Sequence, residues 1–418
     1  MLPQHFDFLK TVFLYTITAF GGPQAHFAMM LKIFVQQKKY ISEEELMEYN
    51  AFCQLLPGAS STQTITLIGY KVGGFSLAVV TVIIWVTPAC FIMGSLSFLL
   101  HYIDKNALQV DLFKFIPPMA IGFLVYATIQ AFRIFIKNRI TKIIMLVSAG
   151  TMFLFFKSPF IFPLLILSAG LITNISKKRI VEITQKPERV SWMNIWLFVV
   201  VFLVAGFLSE SARKNNWEYR APINLFQNNY QMGSIVFGGG QVLMPMMYEQ
   251  FSVRPYLKKK KDPRLLKVDK QDMYTGIGIV SVVPGPVFAI ASFVGGMALK
   301  DVGKKPQTRV LMQILGCLIG AIAIFLPSLL LVFFFFPIWH NLKKYAAVYR
   351  SLEGVNAVVV GFMIAAALYL MKDVSLLEIK LGSVLNAAIV VGTASLLYFS
   401  KLSAPVIVVL CLLLGRVF

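Results

Sequence analysis

Two glycines, a proline, an amide and an imidazole stand together in Phe20-Gly21-Gly22-Pro23-Gln24-Ala25-His26, inside a segment that is otherwise apolar. A variant returns at Phe237-Gly238-Gly239-Gly240-Gln241. A second kind of interruption, Pro57-Gly58-Ala59-Ser60-Ser61-Thr62-Gln63, is answered by Pro284-Gly285-Pro286. Glycine weakens a helix, and proline removes a backbone donor and clashes with the preceding turn, so each run breaks its helix. A helix that restarts after a break presents unpaired N–H groups and the positive end of its dipole. Pro23 suits the first turn of such a restart, where its missing donor is no loss. Gly58 lets the backbone come close to a ligand, and Ser60, Ser61, Thr62 and Gln63 add hydroxyl and amide donors. The chemistry open to this set is to hold an anion with neutral donors. Gly238, Gly239, Gly240 and Gln241, with the stretch from Pro284 through Gly285 and Pro286 to Val287, are the second-half partners, expected to reach the membrane midplane from the opposite side. For one such run alone, close helix packing or a kink is the simpler explanation. Four breaks in duplicated positions favour a substrate path.

His26 is the only histidine within a predicted membrane segment; His5, His101 and His340 sit near ends or loops. It could bind the anion or shuttle a proton, or pack as a neutral ring. Gln24 and Gln54 divide in the same way between ligand contact and interhelical hydrogen bonding. Glu249 lies beyond the second break and near a basic loop, as a coupling carboxylate or one half of a solvated ion pair. Enzyme signatures are missing: there is no GxxxxGK[ST], HExxH or GxSxG run and no carboxylate-rich cluster of the kind that metal-dependent membrane transferases use. Cys53, Cys90, Cys317 and Cys411 are scattered in apolar contexts without CxxC spacing. No catalytic residue, metal or cofactor is expected, and secondary transport is the economical reading.

The elements that position these residues are membrane helices. Of 418 residues, 57% are hydrophobic and 14% charged, against about 25% charged in soluble domains. The mean hydropathy is +0.73, and the apolar runs are continuous rather than alternating, which disfavours a β-barrel. The formal charge of +20 falls in short loops, as the positive-inside rule expects, and leaves no basic soluble domain to bind nucleic acid. Phe8 to Phe20 resembles a signal-peptide core but lacks the basic cluster before it and the cleavage site after it, so it reads as a retained first span. A broken segment at 6–36 is followed by a helix entering at about residue 43, where Ser42 and Glu45 form a capping box, and running to Leu56. Spans follow at 75–100, 115–135, 141–156 and 159–175, then a basic linker over 177–189 and an extra span at 192–208. Broken segments at 225–250 and 271–299 precede apolar stretches at 310–337, 352–371, 382–399 and 404–417.

The landmarks recur in order. Phe20-Gly21-Gly22 matches 237–239, Pro57-Gly58 matches Pro284-Gly285, Pro88 matches Pro327, and Gly122-Phe123 matches Gly361-Phe362. The last two stand 34 residues apart in both halves (88 to 122 and 327 to 361). The fold expected is an all-α polytopic membrane protein with about 13 transmembrane segments, two homologous halves forming inverted repeats with broken helices. The first repeat covers 1–176, a linker with the extra span covers 177–220, and the second repeat covers 221–418. The extra span inverts the second half, which puts the N-terminus and the most basic loops in the cytoplasm.

The chain resembles the chromate ion transporter superfamily in its long, two-half form. The resemblance is carried by Phe20-Gly21-Gly22-Pro23-x-Ala25-His26, by Gln54-Leu55-Leu56-Pro57-Gly58 with Ser61 and Gln63, by Phe237-Gly238-Gly239-Gly240 with Pro245 and Glu249, and by Pro284-Gly285-Pro286. It implies a secondary transporter in the bacterial cytoplasmic (inner) membrane that moves chromate outward, with sulfate as the competing tetrahedral oxyanion. Two departures stand out. An acidic residue usual in the first half of the family is replaced by Leu31-Lys32-Ile33, and Gln241 stands where a histidine often follows the triple glycine. Import or exchange of sulfate or another anion is the alternative within transport. A membrane-embedded enzyme acting on a lipid or phosphate ester is the alternative outside it, and a passive membrane scaffold is a third. Besides the oxyanion and membrane lipid, a second copy is a compatible partner, since two halves form an internal pseudo-dimer and a true homodimer fits equally.

Overall fold

A computed structural model describes residues 5–20, 22–102, 114–155, 161–175, 196–237, 240–257, 266–303, 305–339, 346–373, 381–400, 402 and 404–417, and every regular element among them is helical. Gly21, Gly238, Gly239 and the linker 177–189 lie outside these residues, as do the side chains of Pro23, Gln24 and Gln241.

In the first half, α1 (Phe6–Thr18) runs to the first break and α2 (Gly22–Met30) restarts beyond it, widening into a π-helical turn at Leu31–Gln37. α3 (Glu43–Leu55) opens with the expected capping box: the Glu45 N–H donates to Ser42 Oγ at 3.1 Å and the Ser42 N–H to Glu45 Oε2 at 2.9 Å. α4 (Ser60–Tyr102) starts directly after the Pro57-Gly58 break and is bent where Gly73 and Gly74 leave helical geometry. α5 (Ile116–Phe135), α6 (Arg139–Leu154) and α7 (Ile161–Ile175) complete the half. α8 (Trp196–Lys214) is the extra helix.

The second half repeats these devices in order. α9 (Arg220–Ile235) leads to the break, α10 (Gly240–Tyr248) restarts, and a π-helical turn at Glu249–Val253 passes into α11 (Arg254–Leu257). The two π-helical turns bury Phe34 and Phe251. α12 (Lys270–Val280) is capped by Asp269, whose Oδ1 accepts the Gln271 N–H at 2.9 Å, as Ser42 caps α3. A 3₁₀ turn at Val287–Ala289 leads into α13 (Ile290–Leu299), and α14 (Pro306–Phe335) carries Pro327 inside it as α4 carries Pro88. α15 (Ala346–Asp373), α16 (Leu381–Phe399) and α17 (Ala404–Val417) end the chain. Among the described residues, five helices are long and apolar enough to cross a membrane, at Ser60–Leu100, Ile116–Phe135, Trp196–Lys214, Pro306–Phe335 and Glu353–Lys372. Several others, such as Ser383–Phe399, are apolar but shorter.

The chain folds into two compact units, and each takes matching parts from both halves. The first, residues 1–109 and 193–334, contains all four breaks. Its centre is a pair of reciprocal contacts. Gly58 at φ +115° and Gly285 at φ +108° occupy backbone conformations that L side chains rarely adopt. The Gly58 N–H donates to Val236 O at 2.7 Å, and the Gly285 N–H donates to Ala19 O at 2.9 Å. Each proline–glycine break is therefore tied to the residue just before the Phe-Gly-Gly break of the other half. The residue after each in-helix proline completes the exchange: Ser328 faces Gly58 and Ala89 faces Gly285. Tight helix contacts rest on small residues here too, since a Cβ at Gly320 would stand 2.0 Å from the Ala291 carbonyl oxygen.

The second unit, residues 110–192 and 335–418, packs α15 against α6 and α7, and α16 against α5. Its glycines mark the contacts. A Cβ at Gly361 would lie 2.6 Å from Met145 O, one at Gly354 2.3 Å from Ala169 O, and one at Gly122 2.6 Å from Thr393 Cβ. Leu164, Leu167 and Leu171 lie exposed along α7, a surface suited to lipid rather than water.

Candidate anion site

The four breaks converge on one cavity in the first unit. His26 of α2 lines it with Ala59, Ser60 and Ser61 from the start of α4. From the second half come Gly240, the first residue of α10, and Pro286, Val287 and Phe288 beside the second proline–glycine break. Gly240 must be a glycine for this approach, because a Cβ there would stand 2.5 Å from Val287.

Each wall has its own support. The α4 restart is pinned by an Ala59 N–H bond to Ser328 Oγ at 3.2 Å, and its first helical bond runs from the Gln63 N–H to Ala59 O at 2.9 Å. The backbone N–H groups of Ser60, Ser61 and Thr62 precede that first bond, as at any helix start. Thr62 and Gln63 have structural duties: Thr62 Oγ1 accepts from Trp85 Nε1 at 3.0 Å, and Gln63 Nε2 donates to Pro57 O at 2.9 Å. Ser60 and Ser61 are the hydroxyl-bearing residues that line the cavity.

His26 is buried at 1% exposure in an aromatic box. Its ring meets Trp85 edge-to-face at 5.3 Å, and Trp85 stacks on Tyr15 at 5.0 Å. Tyr15 Oη donates to the His26 carbonyl at 3.3 Å, and His26 Nε2 lies 3.2 Å from Ala19 O. Nδ1 is buried and has no hydrogen-bond partner among the described residues.

Some residues expected at the site stand elsewhere. Gln54 is exposed on the last turn of α3 and is not among those lining the cavity. Gly58 and Gly285 shape the breaks rather than the walls. Glu249, on the π-helical turn, is ion-paired with Arg254, which also donates to Gln250 Oε1 at 2.7 Å. That pair is buried on the carboxylate side, at 8% side-chain exposure, rather than solvated. Trp85, Tyr15, Ser328 and Phe288 were not singled out from sequence. The signal that could have found Ser328 is its place directly after Pro327, in register with Ala89 after Pro88.

The two halves contribute unequally. Counted from Phe-Gly-Gly, His26 corresponds to Leu243 and Lys32 to Glu249; counted from Pro-Gly, Ser60 and Ser61 correspond to Val287 and Phe288. Among the described residues, the first half therefore supplies the polar side chains of the cavity, and the second supplies a close glycine backbone and an apolar wall.

Apolar helices long enough to cross a membrane, together with helix breaks at corresponding positions of the two halves that line one cavity, mark a polytopic membrane protein of the transporter class. The chain belongs to the chromate transporter family, which it matches over residues 6–174 and 223–416, once in each half. It is 24% identical over 410 residues to an uncharacterised transporter of Methanocaldococcus jannaschii, covering 96% of this chain and 90% of that one. It is 24% identical over 400 residues to a chromate transport protein of Cupriavidus metallidurans, covering 95% and 89%. A probable chromate transport protein of Synechococcus elongatus is also 24% identical, over 407 residues covering 96% and 92%. No solved structure matches the chain.

Proposed function

We propose that this protein is a secondary transporter of tetrahedral divalent oxyanions that carries chromate out of the cytoplasm, with sulfate as a competitor. The observation that carries the proposal is the single cavity lined by residues of all four breaks. Its donors are neutral: the Ser60 and Ser61 hydroxyls, the first N–H groups of α4 and the backbone at the start of α10. Such a set favours an anion at a helix start without a fixed cation to trap it. The relatives named for chromate transport support the choice of anion.

In this reading the protein sits in the bacterial inner membrane with its N-terminus in the cytoplasm. The halves 1–176 and 221–418 are inverted repeats with about 13 crossings in all, and the two sides of the cavity open alternately. Moving one charge through the membrane potential is worth about 2.3 kcal/mol per 100 mV, so an anion leaving an inside-negative cell gains about that much for each net negative charge it carries.

The test is binding of radiolabelled chromate to purified full-length protein, with sulfate as competitor, followed by flux from preloaded proteoliposomes under an imposed potential. Saturable chromate binding that sulfate displaces, and potential-driven exit, are expected. Folded protein that binds neither anion would refute the assignment.

A further inference from the structure

We infer that the cavity takes its oxyanion together with one proton, as the monoprotonated form, whose hydroxyl donates to His26 Nδ1. The inference rests on the oxyanion reading above and adds the charge state of the ligand.

It follows from which ring nitrogen is already committed. Ala19 O is a carbonyl and can only accept, so the 3.2 Å contact with Nε2 requires the hydrogen to be on Nε2. In a neutral imidazole the other nitrogen is then a bare lone pair. That nitrogen, Nδ1, is buried without a partner among the described residues, and His26 lines the cavity. Among the described residues, no acidic side chain lines the cavity beside the ring. From α1 the ring is approached by Tyr15, whose hydroxyl is spent on the His26 carbonyl, and from α4 by Trp85. Across the cavity stand Val287 and Phe288. A charge buried without a counter-ion is costly, so the resting ring is neutral.

A fully deprotonated tetrahedral anion has acceptors only, and it would set an oxygen lone pair against the Nδ1 lone pair. A hydrogen oxyanion matches the site: its hydroxyl donates to Nδ1 while its other oxygens accept from Ser60, Ser61 and the start of α4. The one-sided wall agrees with a reduced charge, because the second half offers Val287 and Phe288 where the first offers two serines. Chromate gains a proton near neutrality and sulfate stays a dianion there, so the arrangement favours chromate.

The test is calorimetric titration of the purified full-length protein with potassium chromate in buffers of differing ionisation heat, which counts protons taken up per anion. From neutral pH to about pH 8.5 the apparent Kd for total chromate is expected to rise roughly tenfold per unit, with one proton bound per anion at the upper end. Sulfate is expected to bind at least about tenfold more weakly at neutral pH, the cost of an unmatched polar group. His26→Leu, which installs the residue found at the equivalent position in the second half, is expected to flatten the pH dependence. A flat Kd with no proton uptake in the unaltered protein overturns the inference while leaving oxyanion binding in place. A steep dependence that survives His26→Leu overturns the assignment to His26. Absence of chromate binding at every pH refutes the oxyanion reading itself, and the proton count on the unaltered protein is informative whether or not the variant folds.

Discussion

The reciprocal contacts at Gly58 and Gly285 can be separated by a matched pair of substitutions. Both glycines sit at similar positive φ, +115° and +108°, so alanine at either imposes a similar backbone strain of about 1–3 kcal/mol. Their surroundings differ. A Cβ at Gly58 would stand 1.8 Å from Ser328 Oγ, whereas a Cβ at Gly285 meets nothing closer than Ala89 Cβ at 3.0 Å. Gly58→Ala must therefore expel the Ser328 hydroxyl and strand the Ala59 N–H that it accepts. A buried donor left unpaired costs a further roughly 1–3 kcal/mol. Gly58→Ala is expected to be the more destabilising of the two by about that amount, read as a lower midpoint for heat-induced loss of monodisperse protein in detergent. In Gly58→Ala/Ser328→Ala the clash with Oγ is gone, while the strain and the lost hydrogen bond remain. The double variant should be less destabilised than the sum of the singles. Equal midpoints for Gly58→Ala and Gly285→Ala, or strict additivity of the double variant, would refute the reasoning.

Other expectations follow from the same geometry. Ser61→Ala should weaken chromate binding by about tenfold to a hundredfold, the worth of a hydrogen bond to a charged group, with little change in thermal midpoint; parallel loss of folded protein would make Ser61 a packing residue. Trp85→Phe keeps the ring beside His26 but removes the donor to Thr62 Oγ1, so stability should fall by about 1 kcal/mol and chromate affinity should drop with it. Gly361→Leu forces a side chain against the Met145 carbonyl and should lower the thermal midpoint of the protein strongly, whereas Leu164→Ala on the exposed face of α7 should leave it nearly unchanged.

Much of the helical plan could be read from residue order because breaks and caps are local. Ser42 and Glu45 make their capping box, and the Pro57-Gly58 break is followed at once by a helix at Ser60, as the sequence suggested. The span expected at 75–100 is the second of two helical segments within α4, which meet where Gly73 and Gly74 leave helical geometry. What could not be read is which break touches which. The bonds from Gly58 to Val236 and from Gly285 to Ala19 join residues far apart in the chain, and no periodicity encodes them. The grouping of matching parts from both halves into each compact unit follows from those long-range contacts. The division of labour within the α4 start was equally hidden: Thr62 and Gln63 look like ligand donors beside Ser60 and Ser61, yet Trp85 and the Pro57 carbonyl claim them. Trp85 itself sits in an apolar run where an indole is unremarkable until Tyr15, His26 and Thr62 are found around it.

The unequal walls of the cavity connect this architecture to transport. A duplicated chain whose halves kept identical side chains would offer an anion the same donors from both sides, and a ligand held equally by both would resist release. Here the side-chain donors and the imidazole come from α2 and the start of α4, while the second half answers with Gly240, Val287 and Phe288. Apolar groups opposite hydroxyls make little demand on the anion and exclude water from its far side, so each hydrogen bond to Ser60 and Ser61 counts for more than it would in solvent. The breaks are nevertheless tied across the halves by backbone bonds, from the Gly58 N–H to Val236 O and from the Gly285 N–H to Ala19 O. On the proposed reading, the side chains that hold the anion come from one half, while the backbone bonds at Gly58 and Gly285 tie both halves together.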